Sequence, residues 1–153
     1  MEKVIFRILD SFDNELLDAI KKIEIENLGI SAAINEWQIS VIIRYGRFVV
    51  AENSDGKIIG VCEIFRKWMD RDSAFIHSFY IDRKYRSKGI GGKLLAFVIE
   101  MLKAGGFKSA SLTVAPDNTA AVGLYGGAGF DIKESLESEY GPGTDRYLME
   151  ISL

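Results

Sequence analysis

Arg83-Lys84-Tyr85-Arg86-Ser87-Lys88-Gly89-Ile90-Gly91-Gly92-Lys93 joins a β-rich run, Ala74 to Asp82, to an apolar-periodic run from about Gly89 to Ala104. In that second run Leu94, Leu95, Val98, Met101 and Leu102 recur at helical spacing, and Gly105-Gly106 closes it. Five of the eleven residues of the junction are basic. Cations and glycines at a helix N-terminus, where backbone N–H groups lack intrahelical partners, suit a pyrophosphate. A solvated charged loop ahead of a glycine-rich helix start is the plainer alternative. Two familiar phosphate motifs are eliminated. A P-loop needs Ser or Thr after Gly-Lys, and a dinucleotide fingerprint needs a third small residue, but Leu94 stands at both places.

On the N-terminal side, Lys3 to Leu9 alternates like a strand, and Asp10 to Asn14 supplies caps for a helix with Leu16, Leu17, Ile20 and Ile23 on its apolar stripe. Gly29 ends that helix. A second helix is expected from about Ala32 to Tyr45, with Ile34, Trp37, Val41 and Tyr45 near one face and Gly46 as its stop. Arg47 to Glu52 and Lys57 to Trp68 read as strands joined at Asn53-Ser54-Asp55-Gly56, a hairpin signal because Asp-Gly tolerates positive φ. The polar turn Asp70-Arg71-Asp72-Ser73 precedes the strand Ala74 to Asp82. Beyond the central helix follow a strand, Lys108 to Ala115, a helix, Asn118 to about Gly127, and two strands, Phe130 to Leu136 and Arg146 to Ile151. The order β-α-α-β-β-β-α-β-α-β-β, with no internal repeat or long linker, predicts one α/β domain over 1–153 whose sheet carries helices on both faces.

Composition bounds the function. With 153 residues, 48% hydrophobic and 27% charged, the chain has the make-up of one globular domain. Cys62 and His77 are the single residues of their types, which excludes a disulfide framework, a Cys-based zinc site and an all-His metal site; no metal is expected. No apolar run approaches the roughly 18 residues of a membrane span, and the opening Met1 to Phe6 alternates unlike a signal peptide. The expectation is a cytoplasmic protein with no membrane partner, a monomer or homodimer. A net charge of −3 argues against a broad nucleic-acid surface and is compatible with an amine substrate.

Arg86-x-x-Gly89-x-Gly91 resembles the pyrophosphate turn of the GNAT superfamily of acyl-CoA-dependent N-acetyltransferases. A second signature lies about thirty residues downstream. Asn118-Thr119-Ala120-Ala121-Val122-Gly123-Leu124-Tyr125-Gly126-Gly127-Ala128-Gly129-Phe130 is similar to the family's Asn-x-x-Ala-x-x-Leu-Tyr-x-x-x-Gly-Phe helix. The resemblance runs from about Phe48 to Leu153. It implies a three-layer α/β/α fold with a central mixed, mostly antiparallel twisted sheet, splayed between the strands near 74–82 and 108–115. It implies acetyl-CoA as donor, bound by Arg86, Ser87, Lys88, Gly89, Ile90, Gly91, Gly92 and Lys93, with Asn118, Ala121 and Tyr125 contributing from the second motif. The closing segment, Glu139 to Met149, is similar to that of the protein N-terminal and ribosomal-protein alanine acetyltransferases, where a tyrosine-bearing loop covers the acceptor, a place Tyr140 would take. A Gly141-Pro142-Gly143 turn that simply closes a hairpin is the alternative.

Acetyl transfer from a thioester to an amine passes through an oxyanion and expels a thiolate. The resemblance implies that the backbone of Phe79, Tyr80 and Ile81 pairs with pantetheine and donates an N–H to the thioester carbonyl, while Tyr125 protonates the sulfur. An aromatic packed in the core is the other reading of Tyr125. An alkylamine, with a pKa of roughly 10, must lose a proton before it attacks. Many relatives hold a strand acid for this; here Phe75 and Thr113 stand at such positions and neither titrates usefully. His77 shares a face with Phe75 and Phe79 by period two and is the candidate base, a buried structural histidine being the alternative. Glu63 is placed to orient an amine or relay its proton, or simply faces solvent from a half-exposed strand; Thr113 and Tyr140 complete the expected acceptor side. The acceptor is then a protein N-terminus or a small amine or polyamine. A non-catalytic acyl-CoA-binding regulatory module of the same fold is the rival, and a phenol at the sulfur argues against it.

Overall fold

A computed structural model describes residues 3–153; Met1 and Glu2, which begin the expected alternation, lie outside the described residues. The elements are β1 (Ile5–Leu9), α1 (Asn14–Leu28), α2 (Glu36–Tyr45), β2 (Arg47–Glu52), β3 (Ile58–Arg66), β4 (Ser73–Ile81), a 3₁₀ turn at Arg83–Tyr85, α3 (Ile90–Ala104), β5 (Ser109–Val114), α4 (Thr119–Gly127), β6 (Asp131–Leu136) and β7 (Arg146–Ser152). This is the expected order. The strands form one sheet in the order β1-β2-β3-β4-β5-β7-β6. β4 and β5 run parallel, while the β1–β2, β2–β3, β5–β7 and β6–β7 ladders are antiparallel. The parallel ladder joins Ser73–Ile76 to Ser109–Leu112, and no further register pair links these strands among the described residues.

The chain divides into two compact units, one running to Phe65 and resuming over Ser78–Leu94, the other made of Arg66–His77 and Leu95–Leu153. In the first, Asp13 caps α1 by accepting the Leu16 N–H at 2.8 Å, and Gly29 ends the helix at φ 82°. Leu9, Ile20, Ile23, Ile39, Ile43, Phe48 and Val61 join one buried cluster. Each such side chain contributes about 1.5–3 kcal/mol of burial.

The second helix departs from expectation in start and face. Asn35 and Gln38 form a capping box, so α2 begins at Glu36 rather than Ala32. Its buried stripe is Ile39, Ile42 and Ile43, while Trp37 and Tyr45 are 80% and 81% exposed. Two apolar stripes line this helix, and packing chose the aliphatic one. Ile34, placed on the helix in the sequence reading, is buried ahead of it. At Gly46 a Cβ would come within 2.7 Å of the Ile64 carbonyl, which explains the glycine between α2 and β2. The hairpin between β2 and β3 closes as expected: Asn53 Oδ1 accepts the Asp55 and Lys57 N–H groups at 3.1 and 2.9 Å, and Gly56 sits at φ 77°.

In the second unit Leu95, Val98, Leu102, Ala110, Leu112, Phe130 and Met149 are buried. Asn118 caps α4, its Oδ1 accepting the Ala121 N–H at 3.2 Å. Among the described residues, no helix is long and apolar enough to cross a membrane.

Candidate active site

The first unit carries the basic turn. Asp82 accepts the Lys84 N–H at 3.1 Å and so opens the 3₁₀ turn, while the Arg83 N–H is held by Asn27 of α1, also at 3.1 Å. Arg86 donates its Nε–H to the Ile81 carbonyl at 2.8 Å, tying the turn back to the end of β4. The chain then takes left-handed conformations at Ser87, φ 60°, and Gly89, φ 75°. Lys93 N–H donates to the Gly89 carbonyl at 3.3 Å, so Gly89 is the capping residue, and Ile90, Gly91 and Gly92 have no intrahelical acceptor for their N–H groups. A Cβ at Gly89 or Gly92 would meet nothing within 4 Å, so both open to free space. Arg83, Lys84, Arg86, Lys88 and Lys93 are all exposed, and Lys88 Nζ lies 5.1 Å from the centroid of the Tyr85 ring. Left-handed backbone, a helix start and five cations make a cradle for a polyanion such as a pyrophosphate.

The same unit holds a group of buried acids that the sequence showed only in part. Glu63 on β3 is fully buried, which overturns the solvent-facing alternative. Its neighbour is Glu24 of α1, also fully buried, whose Oε2 accepts the Ile34 N–H at 3.4 Å. Burial raises the Glu24 carboxyl above the usual range, and burial together with the Glu24 charge pushes Glu63 up to about 8. Tyr80, 6% exposed, adjoins both acids; burial and their charges raise its phenol. Its hydroxyl interacts with Glu24 without forming a hydrogen bond of standard geometry. The signal for Glu24 was in the sequence: it lies four residues after Ile20, on the stripe that buries Ile23 and Asn27.

The second unit carries the other candidates. Tyr125 is 6% exposed near the end of α4, its ring 6.0 Å from that of Phe130. His77 and Thr113 are the residues directly after the paired segments of β4 and β5, at the point where the parallel ladder stops. His77 is exposed, not the buried structural histidine of the alternative reading, and partial desolvation lowers its pKa below the ordinary imidazole value. Thr113 Oγ1 lies 2.9 Å from the Tyr140 hydroxyl, so two residues expected on the acceptor side do meet. Tyr140 itself sits in the connection between β6 and β7 and is 57% exposed. Phe79 is half-buried and Ile81 buried at the end of β4.

The first unit thus carries a polyanion cradle at the start of α3, and the second carries the His77 imidazole and Thr113 hydroxyl where the parallel ladder stops. The sequence profile of the Acetyltransferase (GNAT) family matches residues 14–130, and the chain belongs to this family. The family uses acetyl-CoA as donor. The chain is 33% identical, over 96 residues, to an uncharacterized N-acetyltransferase of Methanocaldococcus jannaschii, a match covering 60% of this chain and 42% of that protein. It is 26% identical over 110 residues to the L-methionine sulfoximine/L-methionine sulfone acetyltransferase of Pseudomonas aeruginosa, covering 69% of this chain and 64% of that enzyme. The chain spans less than half the length of the first curated relatives it matches. In fold it is similar to a chain of the NatC complex bound to Gag peptide and CoA, with a TM-score of 0.84, 20% identity and 99% of each chain covered.

Proposed function

We propose that this chain is a single N-acetyltransferase domain, 1–153, which transfers acetyl from acetyl-CoA to a primary amine by direct attack within a ternary complex. The observation that carries this reading is the start of α3, where Ser87 and Gly89 turn left-handed and five cations are exposed around N–H groups without intrahelical acceptors. Arg86 to Lys93 bind the pyrophosphate, and the backbone of Phe79 to Ile81 takes the pantetheine arm. Asn118 and Ala121 order the start of α4. Tyr125 gives its proton to the departing thiolate, and the same helix holds its ring against Phe130. His77, exposed and with its pKa held below the ordinary imidazole value by partial desolvation, accepts the amine proton directly or through water. Glu63, fully buried beside Glu24, orients the amine or relays its proton from within the fold.

The acceptor is a small amine or a protein N-terminus: a curated relative acetylates methionine sulfoximine and methionine sulfone, and a structural neighbour belongs to a complex that holds a peptide. A thiol-release assay with acetyl-CoA against amines, polyamines and N-terminal peptides tests the proposal. Release that depends on an amine supports it. Coenzyme A binding with no release for any amine would leave a non-catalytic acyl-CoA-binding module.

A further inference from the structure

The start of β7 carries a cation, Arg146, that forms no ion pair among the described residues. Arg146 pairs with Leu136 across the β6–β7 ladder, one residue before Tyr147, which pairs with Val114 of β5. Its guanidinium carbon lies 5.3 Å from the centroid of the Tyr140 ring. Its Nε is buried and donates no hydrogen bond. Among the described residues, no carboxylate forms an ion pair with Arg146. The unpartnered Nε belongs to a planar guanidinium whose donors match a carboxylate in geometry.

Its placement relates it to the acceptor. The Tyr140 ring on which Arg146 stacks is tied by its hydroxyl to Thr113, at 2.9 Å. Thr113 and His77 are the first residues beyond the paired part of the β4–β5 ladder. Arg146, Tyr140 and Thr113 thus form one connected set that ends beside the strand opening where the candidate base stands. We infer that Arg146, stacked on the Thr113-anchored Tyr140, is the anchor for a carboxylate on the acceptor, which makes the acceptor a free amino acid or a close analogue. The inference rests on the N-acetyltransferase reading. A polyamine would bring a second cation towards Arg146 and be repelled. A phosphate dianion is disfavoured by Glu139 and Asp145 in the same connection, although Asp145 is already engaged, accepting the Ser138 N–H at 2.8 Å.

The test compares L-methionine sulfone with its carboxamide as acceptors, for the wild-type chain and for Arg146→Met and Arg146→Lys. The wild type is expected to favour the free acid by about ten- to hundredfold in kcat/KM, the range of a charge-assisted hydrogen-bonded pair. The preference should vanish in Arg146→Met and partly return in Arg146→Lys, with acetyl-CoA affinity unchanged in both. Equal turnover of acid and amide by the wild type, or a preference that persists in Arg146→Met, overturns the inference. If no amine is acetylated, the enzymatic reading fails by itself. The same two compounds are then titrated by calorimetry in the presence of coenzyme A, where carboxylate-dependent binding lost in Arg146→Met supports the anchor and its absence overturns it.

Discussion

Replacing Glu63 by glutamine keeps the shape of a fully buried side chain and removes its capacity to ionise. In the folded chain burial and the neighbouring Glu24 push Glu63 from the usual 4.5 up to about 8. A raised folded pKa means that the stability associated with protonated Glu63 is fully present below about pH 4.5 and is lost as the pH rises through about 8. At about 1.36 kcal/mol per pH unit, the loss at pH 7 is on the order of 3 kcal/mol, and it continues to grow up to about pH 8. For a chain of this size that corresponds to roughly 6–12 °C in Tm. Thermal unfolding followed by circular dichroism between pH 5 and pH 8 measures it. Glu63→Gln should unfold within about 3 °C of the wild type at pH 5 and well above it at pH 7 to 8. Parallel curves for the two proteins across this range would refute the reasoning, because they would mean that Glu63 ionises in the folded chain without cost.

Three further outcomes follow from the site. Gly89→Val places a β-branched residue at φ 75° and directs its side chain into the open cradle, so coenzyme A affinity should fall by at least about tenfold while backbone strain removes about 1–2 kcal/mol of stability; calorimetric titration and a melting curve read the two separately. Tyr125→Phe retains the ring beside Phe130 and should lower turnover by roughly 10²–10⁴-fold with donor affinity preserved, whereas an equal rate would assign the proton to water. His77→Gln should slow the reaction most at neutral pH and erase an inflection lying below the ordinary imidazole value; at high pH the gap should narrow as more amine arrives neutral, and a uniform loss at every pH would make His77 structural.

The order of elements was legible in the sequence because each one is specified locally. Period-two and period-3.6 patterns, Asp13 as a cap, Gly29 at φ 82° and Gly56 at φ 77° act over a few residues and need no partner from elsewhere in the chain. The basic turn and the Asn118-to-Phe130 helix were legible for the same reason, as phosphate-binding backbone and a capped helix are continuous in sequence. Only the tertiary structure decided what depends on neighbours distant along the chain. Trp37 and Ile39 are both apolar residues of one helix, and which stripe turned inward was set by the aliphatic surface it met. Glu63 alternates in its strand like any residue that could face solvent, yet burial beside Glu24 moved its proton affinity, since desolvation depends on surroundings that sequence spacing does not contain. The Thr113–Tyr140 contact bridges 27 residues, and Arg146 stacks on Tyr140 with no ion pair among the described residues. Local periodicity and capping wrote the elements into the sequence, whereas burial, charge and long-range contact exist only once those elements are packed.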